Sequence, residues 1–394
     1  MKIHKINKYL CYNYKQGDNM IYLDYSATTP TSKEVLDSFN KASLDYIGNP
    51  NSLHTLGVKA NELINKATEQ IAKLLNVKPS EIIYTSGASE SNNMAIKGIC
   101  EKYSNRGKHI ITTHYEHSSI YGPLGYLQDK GYEVDFVTEN SDGTVNLENL
   151  KSLIRDDTIL VSVCAINSEI GIKQPINEIG KIIKEKNNKC FYHVDATQAI
   201  SKINVDLSNI DLVSFSAHKF FGIKGIGGLI KKEKIMLEPL IHGGKSTTIF
   251  RSGTPQLPLI VSTSKALRIA LENLDEKYNY VKELNDYLKE NLSKLENVYI
   301  NSNDICIPHM LNISVVGIKP ETFLHALEKY EVYISTQTAC SSEKAISQSV
   351  LSLTQDEERA KSSLRISLSY KTTKEELEEF LKIFKLCLKE LTLK

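Results

Sequence analysis

No two of the seven cysteines stand at CxxC spacing, and their number is odd. A disulfide framework and a thiolate zinc site are therefore not expected, and no metal is assigned. A chain of this kind belongs in a reducing compartment, read here as the cytoplasm, where one of the thiols is free to be reactive. An apolar run long enough to cross a bilayer is also missing. The first twenty residues are polar and tyrosine-rich, without a continuous apolar signal region. They read as an N-terminal extension, 1–20, that is ill-ordered, and Met20 offers a second start. Basic excess is absent too: a net charge of +1 gives little affinity for nucleic acid. No internal repeat or low-complexity segment is visible.

What is present is ordinary for a globular protein, with 41% apolar and 24% charged residues. A chain of 394 residues is long enough for one large and one smaller domain. From Ile21 to about Pro255, strand-like runs alternate with helical periodicity, which predicts an α/β domain with a largely parallel sheet. Ser32 is placed to cap a helix, and Leu63, Ile64, Ala67, Ile71, Leu74 and Leu75 recur at helical spacing. Beyond Pro258 the pattern changes to one long helical stretch reaching Leu295. It continues with strands near 298–300, 311–315, 332–335 and 363–369, a loop around residue 340, and a last helix from Lys374. This α+β tail defines a second domain, 258–394, after a first of 21–257 whose opening residues are able to join the smaller one.

The stretch SFSAHKFFGIKGIGG (214–228) puts Lys219 after a β-branched and aromatic run, beside His218 and ahead of a glycine cluster. That places an amine at the carboxyl end of a buried strand, where open α/β sheets bind ligands. A desolvated amine there is a nucleophile toward carbonyls and forms Schiff bases, the chemistry used with pyridoxal phosphate. On the lysine alone, a structural loop is an equal reading.

Other junctions carry matching chemistry. TSGASESNN (85–93) is a strand, turn and helix start whose backbone N–H groups at Ala88 and Ser89 suit a phosphate; a plain N-cap is the alternative. In HVDATQ (193–198), Asp195 ends a strand, where it either caps the next helix or meets a protonated pyridine nitrogen, with Gln198 in reach of a phenolate oxygen. THYEHSS offers His114 and His117 as core residues or as an imidazole stacked on a cofactor ring. RSGT (251–254) is an inter-domain turn or a source of polar contacts. Cys340, in STQTACSS, has small polar neighbours and the exposure a thiolate nucleophile needs. Arg365 lies on an apolar strand, facing either a structural carboxylate or a substrate carboxylate.

YLDYSATTP, GNPNSLH, TSGASESNN, INSEIG, HVDATQ, SFSAHKFFGIKGIGG, RSGT and TAC stand in the order and spacing of the cysteine desulfurases, and the chain resembles that family from about Ile21 onward. These are pyridoxal-phosphate enzymes of the class V aminotransferase type. The resemblance implies the aspartate-aminotransferase-like fold, with a mostly parallel seven-stranded sheet in a large domain plus a small α+β domain, assembled as a homodimer. It implies that Lys219 carries pyridoxal 5'-phosphate as a Schiff base, that Asp195 pairs with the pyridine nitrogen, and that Gln198 and Ser168 approach the ring oxygen. His117 stacks on the ring and moves protons. Ala88, Ser89, Ser216 and His218 hold the phosphate, with Thr254 arriving from the other subunit. Arg365, with Asn49, binds the carboxylate of L-cysteine, and Cys340 takes the sulfur as a persulfide. The 25-residue interval from Cys340 to Arg365 resembles the subgroup whose long loop hands persulfide to a partner, an iron–sulfur scaffold or a tRNA-thiolation enzyme.

The chain departs from that pattern at Ser168, where asparagine is common, at STTIF (246–250), at Gln337 in TQTAC, and at Ser369, where glycine is usual. Rate and substrate choice are where such changes act. Alternatives in the same fold are a selenocysteine lyase, another β-eliminating enzyme, or a cofactor-bound scaffold without turnover.

Overall fold

The computed structural model describes residues 20–336 and 346–392. Strand β1 (Ile21–Tyr22) comes first. It is followed by β2 (Ile82–Thr85), β3 (His109–Thr112), β4 (Glu133–Phe136), β5 (Thr158–Cys164), β6 (Phe191–Asp195), β7 (Leu212–Ser216) and β8 (Gly227–Lys231). The last seven form one sheet in the order β2-β8-β7-β6-β5-β3-β4. Neighbours are parallel except at β8, which runs antiparallel to both β7 and β2. The expected α/β architecture with a mostly parallel seven-stranded sheet is what the chain adopts.

Burial explains the sequence of the central strands. All seven residues of β5, TILVSVC, are buried, as befits a strand covered on both faces. Successive side chains of a strand point to opposite faces. Accordingly Val161 and Val163 enter one apolar cluster and Leu160 another. Glycines set how closely β8 packs. A Cβ on Gly228 would lie 2.5 Å from the Phe215 ring, and one on Gly227 would lie 2.4 Å from the Phe215 carbonyl oxygen. Small residues here let β8 lie against β7.

Because β2, β3, β5, β6 and β7 run the same way, their carboxyl ends share one edge of the sheet. From β3 the chain moves outward to β4, while β5 leads to β6 and β7 on the other side. Such a switch point opens a crevice at the carboxyl edge.

A second apolar core lies around an antiparallel sheet of β9 (Val298–Ile300), β10 (Met310–Val315) and β12 (Ser363–Ser367), in the order β12-β10-β9. Val281, Leu284, Leu288, Phe323, Phe380 and Phe384 pack there from helices Leu274–Leu292, Pro320–Glu328 and Lys374–Thr392. Ile21 and Leu23 join this core, since β1 pairs in parallel with β11 (Val332–Tyr333).

Two readings of the tail are corrected. The long helix expected over 258–295 is two, Leu257–Leu271 and Leu274–Leu292, broken at Asn273 with φ 53°. Asparagine tolerates this left-handed conformation, so an unbroken helical periodicity hides the turn. Between β11 and β12, read as loop, the described part contains helices Gln348–Thr354 and Glu357–Lys361. Ser347 and Asp356 cap them through their side chains. Segments this short carry too few apolar repeats to register as helices. Among the described residues, no helix is long and apolar enough to cross a membrane.

Candidate active site

A cavity of about 500 Å³ opens at the carboxyl edge of the sheet, within the size range of small-molecule sites. Lys219 enters it from the turn after β7, and its Nζ donates to the carbonyls of Ser26 (2.6 Å) and Ala27 (2.7 Å). Those carbonyls come from the turn after β1, so the second core's first segment supports the central amine.

Asp195 ends β6, the neighbour of β7, and lines the same cavity while nearly buried. Its Oδ1 accepts from the Thr197 N–H (3.0 Å), and its Oδ2 accepts from Asn92 Nδ2 (2.8 Å). Asn92 also donates to Ser119 Oγ (2.9 Å) and is fully buried. Sequence reasoning missed Asn92. The signal was an amide within the buried 92, 95, 96, 99 stripe of helix Ala88–Lys102.

His117 caps helix Ser118–Gln128, and its Nδ1 accepts from the Ser119 N–H (3.1 Å). A neutral ring in this setting carries its proton on Nε2. Burial lowers the imidazole pKa, assisted by the charge of Lys219 and opposed by Asp195, which keeps the ring neutral near pH 7. His114 is elsewhere: it pairs with Glu139 (3.1 Å) and stacks on Phe136.

Ala88 and Ser89 line the cavity at the start of a helix whose Gly87 N-cap supplies no side-chain bond. The first N–H groups of a helix have no partner inside it and point to an anion. Ser216 and His218 line the same end. Burial, then the charges of Lys219 and Lys224, pushes the His218 imidazole down to about 4, and its Nδ1 meets Thr28 Oγ1 at 3.1 Å. Gln198 donates from Nε2 to the Ser26 carbonyl (2.9 Å).

Arg365 enters from β12 in the second core. Its Nη2 donates to Asp24 Oδ1 and its Nη1 to the Ser168 carbonyl, each at 2.9 Å. Ser168 thus lines the cavity and steadies the guanidinium through its backbone. Both readings of Arg365 meet here, since it has a structural carboxylate partner and faces the cavity. Asp24 was not foreseen, because 341 residues separate the two.

Two residues named from the sequence are not brought to this cavity. Asn49 is exposed, and its side chain accepts from the Asn51 N–H (3.0 Å). Thr254 lies with Ser246, Thr247 and Arg251 around a separate cavity of about 30 Å³. Cys340 and Gln337 lie outside the described residues. Ser369, at the other departure, closes a short turn by accepting from the Lys371 N–H (3.1 Å).

Four polar atoms of cavity-lining residues, Ser26 Oγ, the Tyr115 hydroxyl oxygen, Thr197 Oγ1 and Arg365 Nε, are buried without a hydrogen-bond partner among the described residues. Buried polar atoms left this way call for a ligand or water. With an amine, a carboxylate and an uncapped helix start in one cavity, the donor set fits a flat, phosphorylated carbonyl compound with a basic ring nitrogen.

Residues 21–380 match the family model Aminotransferase class-V. The chain belongs to the class-V aminotransferases. This class-V chain is 42% identical over 367 residues to a protein named cysteine desulfurase IscS from Buchnera aphidicola subsp. Baizongia pistaciae, covering 91% of this chain and 90% of that one. It is 38% identical over 376 residues to cysteine desulfurase IscS from Dictyoglomus turgidum, covering 94% and 95%. Among solved structures, one named as a NifS-like protein superposes with a TM-score of 0.89 at 37% identity, covering 95% of this class-V chain and all of the other.

Proposed function

We propose that this enzyme is a cysteine desulfurase which holds pyridoxal 5'-phosphate at the carboxyl edge of its sheet, releases alanine from L-cysteine, and passes the sulfur to Cys340 as a persulfide. The convergence of Lys219 and Asp195 in one cavity, from the ends of two adjacent strands, carries the reading. Lys219 is the residue that would hold the coenzyme's carbonyl carbon, and Asp195 the one that would meet its ring nitrogen. Ala88, Ser89, Ser216 and His218 would take the phosphate. Bound there, the coenzyme supplies an electron sink for bonds to an amino acid's Cα.

The remaining steps belong to the chain's own groups. Arg365, held by Asp24 and Ser168, offers Nε to the substrate carboxylate. The neutral His117 ring covers the cavity wall with a proton at Nε2 for exchange with the reacting sulfur or nitrogen. The Cys340 thiolate attacks the substrate sulfur, whose bond to carbon breaks, and the released three-carbon fragment takes up protons to become alanine. The persulfide then goes to an acceptor protein, in the cytoplasm.

A homodimer completes the proposal. Leu44, Ile47 and Leu53 are 77%, 78% and 97% exposed on helix Lys33–Asp45 and the loop after it. An apolar face of this kind marks an interface. Thr254, off its own cavity, is then available to the partner's phosphate. The division into domains 21–257 and 258–394 is likewise proposed.

The test is Cys340→Ala beside Lys219→Ala. The desulfurase reading expects alanine release from L-cysteine to be lost in both, with the coenzyme's visible colour retained in Cys340→Ala alone. Undiminished alanine and sulfide from Cys340→Ala would instead favour a β-eliminating or selenocysteine lyase.

A further inference from the structure

One buried charge has no part in the chemistry so far. Lys202 is 6% exposed and lies behind the cavity wall, in the turns that follow β6. Its Nζ donates to Gln198 Oε1 at 3.1 Å, while Gln198 Nε2 donates to the Ser26 carbonyl that also receives Lys219. No carboxylate lies within ion-pair reach of Lys202 among the described residues. The titratable groups facing it are Lys219 and the imidazoles of His218 and His309. Burial, then the charge of Lys219, lowers the Lys202 pKa to about 7.

A purely structural side chain at this place would be apolar, since an unpaired buried ammonium costs stability. The backbone shows a matching expense. Ser201, just before Lys202, takes φ 75°, the left-handed region that a non-glycine residue enters only under constraint. The hydrogen-bond chemistry explains what both achieve. The Ser26 carbonyl only accepts, and Lys202 in its protonated form only donates, so Gln198 between them is held with its oxygen to Lys202 and its nitrogen to Ser26. The reverse would set donor against donor and oxygen against oxygen.

We propose that Lys202 is a positioning residue: it holds the Gln198 amide by its oxygen so that the second amide N–H is presented to the cavity, toward an anionic ring oxygen. This rests on the pyridoxal-phosphate reading. An N–H on that oxygen favours the coenzyme form that has lost its proton, so losing it raises the pH at which the bound coenzyme titrates.

The experiment is a double-mutant cycle on the holoenzyme, Lys202→Met, Gln198→Ala and both together, read as the pH midpoint of the coenzyme's visible absorption and as kcat and KM separately. Each single variant is expected to raise the midpoint by roughly half to one unit, about three- to tenfold in proton affinity, and the double variant no further than Gln198→Ala. Running the cycle also with Lys202→Leu, which likewise has no donor, guards against a folding defect of one replacement. An unchanged midpoint in the Lys202 variants overturns the proposal, as do additive shifts, which would mean a charge effect independent of Gln198. A wild-type protein that takes up no pyridoxal phosphate would overturn this proposal and the coenzyme reading together, whereas a coloured wild type with an indifferent Lys202 overturns this one alone.

Discussion

Replacing Asp24 tests the proposed role of Arg365 as the substrate clamp. Its carboxylate and Arg365 meet at 2.9 Å, with side chains 18% and 3% exposed. Removing one partner of a buried pair typically costs about 3–5 kcal/mol, because the other charge stays buried and unpaired. Asp24 is partly open, and the Ser168 carbonyl still receives one Arg365 nitrogen, so Asp24→Ala belongs at the lower end, about 3 kcal/mol. Asp24→Asn keeps an acceptor and loses only the charge assistance, a difference of roughly 1 kcal/mol. The two variants therefore separate in urea midpoint, Ala well below Asn and Asn slightly below wild type. A guanidinium freed at Nη2 no longer presents Nε in one place. KM for L-cysteine in Asp24→Ala is then expected to rise by about tenfold, equivalent to roughly 1.4 kcal/mol of lost alignment, with kcat changing less. Equal urea midpoints for the two variants, or an unaltered KM in Asp24→Ala, would refute the reasoning.

Glu116 is buried and burial lifts its carboxyl pKa to about 8, opposed by bonds from Thr113 and the Cys164 N–H. A raised carboxyl pKa means the folded state binds more protons between the ordinary value and 8, so this group's contribution to stability falls as pH rises through that window. Glu116→Gln, which cannot ionise, is expected to gain on wild type in urea midpoint from pH 5 to pH 8; a constant difference would contradict it. His193 works in the opposite sense: fully buried between Ser162 and Ser214, it is pushed by burial down to about 4. Its share of stability is therefore lost on acidification from about 6.5 to 4, and His193→Gln is expected to flatten that limb of a urea-midpoint titration. Gly228→Ala forces a Cβ against the Phe215 ring and is expected to cost about 1–3 kcal/mol. Gly125→Ala, in helix Ser118–Gln128 with nothing within 4 Å, is expected to gain about 0.5–1 kcal/mol; chemical denaturation checks both.

Asp195 and Lys219 were legible one by one because each sits where a strand runs out into a turn. HVDATQ and SFSAHK announce Asp195 and Lys219 through an apolar run that stops at an ionisable side chain, and the central strands through continuous burial. Periodicity likewise located helix Thr55–Leu75, down to its buried Ile64, Ala67 and Ile71. It failed at Asn273, where one left-handed residue breaks a helix without disturbing the apolar spacing.

Local sequence alone set where strands, helices and polar strand ends fall, because side-chain period and backbone preference act over a few residues. It also carried the motif order that places the chain among the class-V aminotransferases. Which polar groups touch was decided only by the tertiary structure: Asp24 with Arg365, Asn92 with Asp195, and Lys202 behind Gln198 under the turn that holds Lys219. Those contacts bridge two separate cores and up to 341 residues, and a hydrogen bond is satisfied by whatever donor the fold delivers within about 3 Å, at any distance along the chain.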